Sequence, residues 1–139
     1  LALKGSGRLP VSVFGDGDFM MGSTAIWSAV HYRIPVMIVV ANNTSFFNDE
    51  LHQERMARQR ERVVGNKWIG QRMADPDIDI AMAARAQGAV GIGPARDLAE
   101  LRSCLRDAVA ALREGQVVVV DARVLSGYDA NTTQSMQKV

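Results

Sequence analysis

Apolar positions along the chain follow two periods. The run from Val36 to Ala41 is continuously apolar and rich in valine, the pattern of a strand covered on both faces. Three more segments read as strands: Arg8 to Phe14, with Pro10 at its entry, Ala89 to Ile92, and Gln116 to Val124. Between them the spacing turns helical. Ile26, Ala29 and Val30 share one face of a helix over Gly22 to Tyr32, closed by Arg33-Ile34-Pro35. Asp75-Pro76 and Asp77 to Asp79 are start signals for a helix ending at Gly88. Leu98, Leu101, Leu105, Ala108 and Leu112 form one buried stripe ahead of Gly115, and Asp97 with Glu100 makes a capping box before it. Glu50 to Arg62 is charge-rich and predicts a solvated helix, capped by Asn48 and supported by the Glu54–Arg58 pair. Val63 to Met73 has no period and reads as a loop. Strands alternating with helices predict an α/β fold, an open doubly wound parallel sheet with helices on both faces.

The polar residues that punctuate this pattern carry the chemistry. The first strand stops at Gly15-Asp16-Gly17-Asp18, with a helix beginning near Met21, and the second stops at Asn42-Asn43. In an open α/β sheet, ligands gather at such strand ends. Gly15 and Gly17 let backbone N–H groups approach a phosphate, and the helix behind offers its positive end. A carboxylate at Asp16 would be repelled by that anion unless a cation lies between, and Asp and Asn oxygens suit Mg²⁺. If the two strands are parallel neighbours, Asp16 and Asn43 emerge at one sheet edge. The plainer readings are a turn aspartate at Asp16 and an Asx turn at Asn42-Asn43.

Composition narrows the field. The 139 residues are enough for one domain with a core. A net charge of +1 gives no electrostatic case for nucleic acid or an anionic membrane. Cys104 is the only cysteine, so an internal disulfide and a cysteine-rich metal site are excluded. No apolar run approaches the ~20 residues of a membrane helix, and no secretory signal is read at the start, so a cytoplasmic protein is expected. His31 and His52 read as surface histidines and Cys104 as core. Phe46 and Phe47 are open between lining a substrate pocket and ordinary packing. A dinucleotide fingerprint would need glycine at Met20 and an acid about 20 residues on, and neither is present. A P-loop and a nucleophile elbow are absent as well.

Gly15-Asp16-Gly17, then Ala25 to Pro35 leading into Asn42-Asn43, then Ile78-Asp79-Ile80 with Ala84 and Gly88, resembles the thiamine-diphosphate-dependent enzymes. The wording is closest to the C-terminal domains of benzoylformate decarboxylase and the acetolactate synthase large subunit, and it extends over roughly residues 8 to 125. The resemblance implies the thiamine-diphosphate-binding fold, here lacking its N-terminal part, because Leu1 to Gly5 reads as the end of a helix. A domain over residues 1–125 and a polar tail over 126–139 are expected.

The resemblance also implies thiamine diphosphate and Mg²⁺ as cofactors. The metal ligands would be Asp16, Asn43 and the Ser45 carbonyl, with Gly15, Gly17, Asp18, Phe19 and Asn43 against the cofactor. Asp18 departs from the family, which often has a serine there, and is left to cap the helix or to reach the metal through water. Ser45 stands where the family often has glycine. The implied activity is decarboxylation of a 2-oxo acid, or joining of the product to a second carbonyl compound. In the family the activating glutamate lies in an N-terminal domain of a neighbouring subunit. No catalytic side chain is therefore assigned here, and a homodimer or homotetramer is implied. The reading from another class is a non-catalytic binding or assembly module that keeps the fold.

Overall fold

The computed structural model describes residues 5–127. In chain order the elements are β1 (Val11–Gly15), α1 (Asp16–Gly22), α2 (Thr24–His31), β2 (Val36–Asn42), α3 (Phe47–Gln59), a 3-10 turn (Val64–Asn66), α4 (Ile80–Arg85), β3 (Val90–Ala95), α5 (Leu98–Arg113) and β4 (Val117–Arg123). They fall into two compact units, one of residues 5–42 with 79–124 and the other of 43–78 with 125–127. The expected helix end at Leu1 to Lys4 and the polar tail from residue 128 lie outside the described residues.

The first unit is the α/β sheet. Its four strands are all parallel in the order β1-β2-β4-β3. The inner strand β4 is buried from Val117 through Ala122, which explains its unbroken valine run. Successive side chains leave a strand on opposite faces. Val118 and Val120 pack with Met37, Ala108 and Leu112 beneath α5. On the other face the backbone of Ala81 in α4 lies against Gly91, which pairs with Val119. Helices therefore cover both faces, as the sequence pattern predicts. β1 is an edge strand, and Val11 and Val13 on it are exposed.

Several boundaries differ from expectation. The first strand pairs only from Val11, not Arg8, and the helical stretch after it is two helices separated at Ser23. In α4 the cap is Asp79, whose Oδ1 accepts from the Met82 N–H at 2.7 Å. Asp75-Pro76 lies in a turn before it. Asp97 caps α5 as predicted, accepting from the Glu100 N–H at 2.8 Å, but Glu100 reaches back to the N–H of Arg96 at 2.6 Å rather than to Asp97. Leu98 points to solvent, 62% exposed, so the buried stripe starts one turn later.

In the second unit, α3 begins at Phe47, so Asn48 sits inside its first turn and does not cap it. Glu54 pairs with Arg58 at 2.7 Å, as its spacing requires, and also with Lys67 beyond the 3-10 turn. These two cations, Lys67 first, hold the Glu54 carboxyl below its ordinary range. Val63 to Met73 is built from turns, and Ser45 forms an antiparallel bridge with Arg72.

Candidate functional site

In the first unit the predicted residues gather where the parallel strands end. Gly15 is paired with Ala41 and Asn42 with Arg123, so Asp16 and Asn42 leave the sheet at one edge. The motif is not a loop before a helix near Met21: α1 starts at Asp16 itself. Gly15 caps it in an extended conformation, and Asp16 and Asp18 fall in the first turn, where the helix dipole favours negative charge. Asp16 is 3% exposed, and its Oδ1 accepts from the Gly17 N–H at 3.0 Å. Gly17 and Phe19 are buried, Phe19 in the core, whereas Asp18 is exposed within the helix. Asp18 is thus a first-turn residue and not the helix cap.

Beside them lies an acid that strand periodicity alone does not mark. Asp121 ends the valine run of β4, is fully buried, and accepts at Oδ1 from the Asn42 side-chain amide at 3.0 Å. Its Oδ2 has no hydrogen-bond partner among the described residues and lies 3.7 Å from Arg123 Nε. Burial pushes the Asp121 carboxyl up, Asn42 and Arg123 oppose the shift, and Asp79 and Asp16 add to it. The clue in the sequence was an acid at the end of an otherwise apolar inner strand.

A pH dependence follows. A carboxyl raised above its unfolded value of 3.8 binds its proton more tightly in the folded state. It therefore destabilises the fold at pH above the raised value, and this penalty is relieved as pH falls through that value. Asp121→Asn keeps an acceptor for Asn42 and removes the titration. Denaturant unfolding of the cofactor-free protein from pH 7 downward should show the variant's stability advantage shrinking with falling pH. A difference independent of pH would contradict the assignment.

The second unit opens with Asn43. Its side-chain Oδ1 accepts from the Ser45 N–H at 3.0 Å, which is the Asx turn foreseen as the plainer reading. Its carbonyl accepts from Thr44 Oγ1 at 2.7 Å and from Ser126 Oγ at 3.1 Å. Thr44 takes a left-handed backbone, φ 59°. Phe46 N–H donates to the Gln71 carbonyl at 3.0 Å and Met73 N–H to the Thr44 carbonyl at 2.8 Å. Ser45 thus faces Arg72 without exchanging backbone bonds with it, so its own N–H and C=O point away from Arg72. Asn43 and Ser45 are consequently tied together.

His31, His52 and Cys104 stand on helices. His31 stacks on Trp27 at 4.8 Å on the surface of α2. His52 is exposed on α3. Cys104 packs against the α5 core, and burial pushes its thiol up.

Comparison with known proteins places the chain. The profile of the family described as thiamine pyrophosphate enzyme, C-terminal TPP binding domain, matches residues 1–122. The chain belongs to this family. A search of curated proteins gives no match. Among solved structures, the TPP-binding domain resembles benzoylformate decarboxylase from Polynucleobacter necessarius, with TM-score 0.67 and 23% identity over 92% of this chain and 22% of that one. It also resembles a thiamine diphosphate-dependent 4-hydroxybenzoylformate decarboxylase from Rhodococcus jostii RHA1, with TM-score 0.65 and 25% identity over 91% of this chain and 21% of that one. The chain spans about a fifth of the length of these relatives.

The oxygen donors of this TPP-binding domain fit a hard divalent cation. No group of three or more His, Cys, Asp or Glu side chains is placed to hold a metal among the described residues. Hard divalent cations also take amide and carbonyl oxygens, the kinds that Asn43 and Ser45 carry. Mg²⁺ is commonly bound in that way, through one or two carboxylates with ligand phosphates completing its shell. The amide of Asn43 is oriented by Ser45 N–H through one lone pair of its oxygen, and a carbonyl oxygen carries two. No helix among the described residues is long and apolar enough to cross a membrane.

Proposed function

We propose that this chain is the cofactor-anchoring domain of a thiamine-diphosphate-dependent enzyme acting on 2-oxo acids, a decarboxylase or a carboligase. The family match over residues 1–122 carries the reading. Asp16, the Asn43 side chain and the Ser45 carbonyl are assigned to Mg²⁺, and Gly15, Gly17, Asp18, Phe19 and Asn43 to the cofactor's diphosphate end. When bound, thiamine diphosphate supplies the carbanion chemistry that releases carbon dioxide from a 2-oxo acid. The residues of this chain hold, orient and neutralise. The carboxylate of Asp16 offsets metal charge, and glycine at 17 sets no side-chain bulk against phosphate oxygens. Exposed Asp18 contributes its backbone rather than its carboxylate, which an anion repels. Activation of the cofactor falls to a glutamate on another chain of a homodimer or homotetramer, with the 2-oxo acid entering from solvent.

The test is product analysis with the natural full-length protein, Mg²⁺, thiamine diphosphate and a panel of 2-oxo acids. At least one acid should yield carbon dioxide with an aldehyde or acyloin, and omission of the cofactor should abolish it. Cofactor binding without turnover of any acid would overturn the enzyme reading and leave a binding module.

A further inference from the structure

The second unit contains a buried acid that the proposed metal set does not use. Glu50 lies in the first turn of α3 and is 2% exposed. A carboxylate taken out of water is costly unless hydrogen bonds and opposite charge compensate it. Both are present. Ser45 Oγ donates to Glu50 Oε1, and Arg72 Nε lies 3.6 Å from the same oxygen. Ser45 and Arg72 are the two residues of the antiparallel bridge, so one carboxylate oxygen closes a ring through helix, loop and bridge partner. The Glu50 N–H also donates to the Phe46 carbonyl at 3.1 Å, which fastens the helix start to the residue after Ser45.

This ring has a consequence for the Ser45 carbonyl. Ser45 is held on its side chain by Glu50 and on its N–H by the Asn43 amide oxygen. Its backbone N–H and C=O both point away from Arg72, and the Asn43 oxygen lies on that same side. Two oxygens, Asn43 Oδ1 and Ser45 C=O, are therefore presented together. Rotation of the peptide after Ser45 would break the bond from Phe46 N–H to the Gln71 carbonyl, and Gln71 precedes the Arg72 that lies beside Glu50.

We propose that Glu50 is a positioning residue for the metal site: it holds Ser45 through the hydroxyl and so directs the Ser45 carbonyl to the cation that Asn43 binds. The inference rests on the Mg²⁺ reading above. Groups that orient ligands from behind are typically worth about 10- to 100-fold in metal affinity. The hydroxyl of Ser45 thereby gains a purpose that glycine could not serve.

The experiment measures Mn²⁺ affinity by electron paramagnetic resonance in the natural full-length protein with thiamine diphosphate, and thermal midpoints alongside. Glu50→Ala and Ser45→Ala should each weaken Mn²⁺ by about tenfold, and the double variant by no more than either alone. Glu50→Gln keeps an acceptor for Ser45 Oγ and should stay within about threefold of wild type, a rescue that a purely structural charge would not show. Should Glu50→Ala fail to fold, Ser45→Ala alone must show the tenfold loss. If wild type binds Mn²⁺ and Asp16→Ala does not, while both Glu50→Ala and Ser45→Ala bind as wild type, the positioning role is overturned and the metal reading survives. If wild type does not bind, or Asp16→Ala leaves binding unchanged, the metal reading falls and takes this inference with it.

Discussion

Asp16→Ala is expected to weaken Mg²⁺-dependent binding of thiamine diphosphate by about 100-fold or more, since residues that merely orient a ligand already cost about 10- to 100-fold. The carboxylate is 3% exposed and begins α1 at the end of β1. Alanine removes the charge that offsets the cation and leaves the diphosphate facing an uncompensated site. Asp16→Asn keeps the size and an acceptor for the Gly17 N–H, so its loss should be smaller but still large. A ligand role and a folding role separate in the cofactor-free protein. Asp16 is among the charges that push Asp121 up, so its removal relieves repulsion between two buried acids. Against this stands the lost helix-dipole interaction, about 0.3–1 kcal/mol. Alanine also leaves the buried Gly17 N–H without the Asp16 oxygen, so cofactor-free stability should fall by about 1–3 kcal/mol while binding collapses. Calorimetry showing unchanged cofactor affinity in Asp16→Ala would sink the metal assignment.

What the sequence revealed, and what it hid, divides along local and tertiary physics. The valine run of β2, the helical stripe of α5 and the Asp97 cap were legible because each is decided within a few residues. So was the parallel pairing of the first two strands; the edge expected for Asp16 and Asn43 is described for Asp16 and Asn42. The start of α1 was misread because glycine weakens helices, so Gly15-Asp16-Gly17 looked like a loop. In the fold, Gly15 serves as an extended cap, the two aspartates suit the helix start, and buried Phe19 anchors the turn. Asn48 looks like a cap by residue type, yet the N-cap is Phe46, two residues earlier, where its N–H donates to the Gln71 carbonyl. Asp121 and Glu50 could not be found by period or motif. Each acquires its meaning from a partner distant in sequence or from burial, Asn42 for one and the Ser45–Arg72 bridge for the other.

Gly91→Ala should be the most destabilising single methyl group in the sheet. Gly91 lies on β3 opposite Val119, and a Cβ built on it would stand 2.0 Å from the Ala81 carbonyl oxygen and 2.8 Å from its carbon. These are backbone atoms of α4, so no rotamer change relieves the clash. The helix itself would have to retreat. Ile80, Ala81 and Ala84 are fully buried on it, and shifting them opens gaps that dispersion and burial no longer fill. Overpacking in a well-packed core costs about 1–3 kcal/mol, and a backbone clash of this depth belongs at or above the upper end. Since a domain holds only about 5–15 kcal/mol in all, a large share of its stability is at stake. Denaturant unfolding of the variant should give a loss of about 3 kcal/mol, with faster amide exchange in β3 and α4. A variant within about 0.5 kcal/mol of wild type would show that α4 does not approach β3 backbone to backbone.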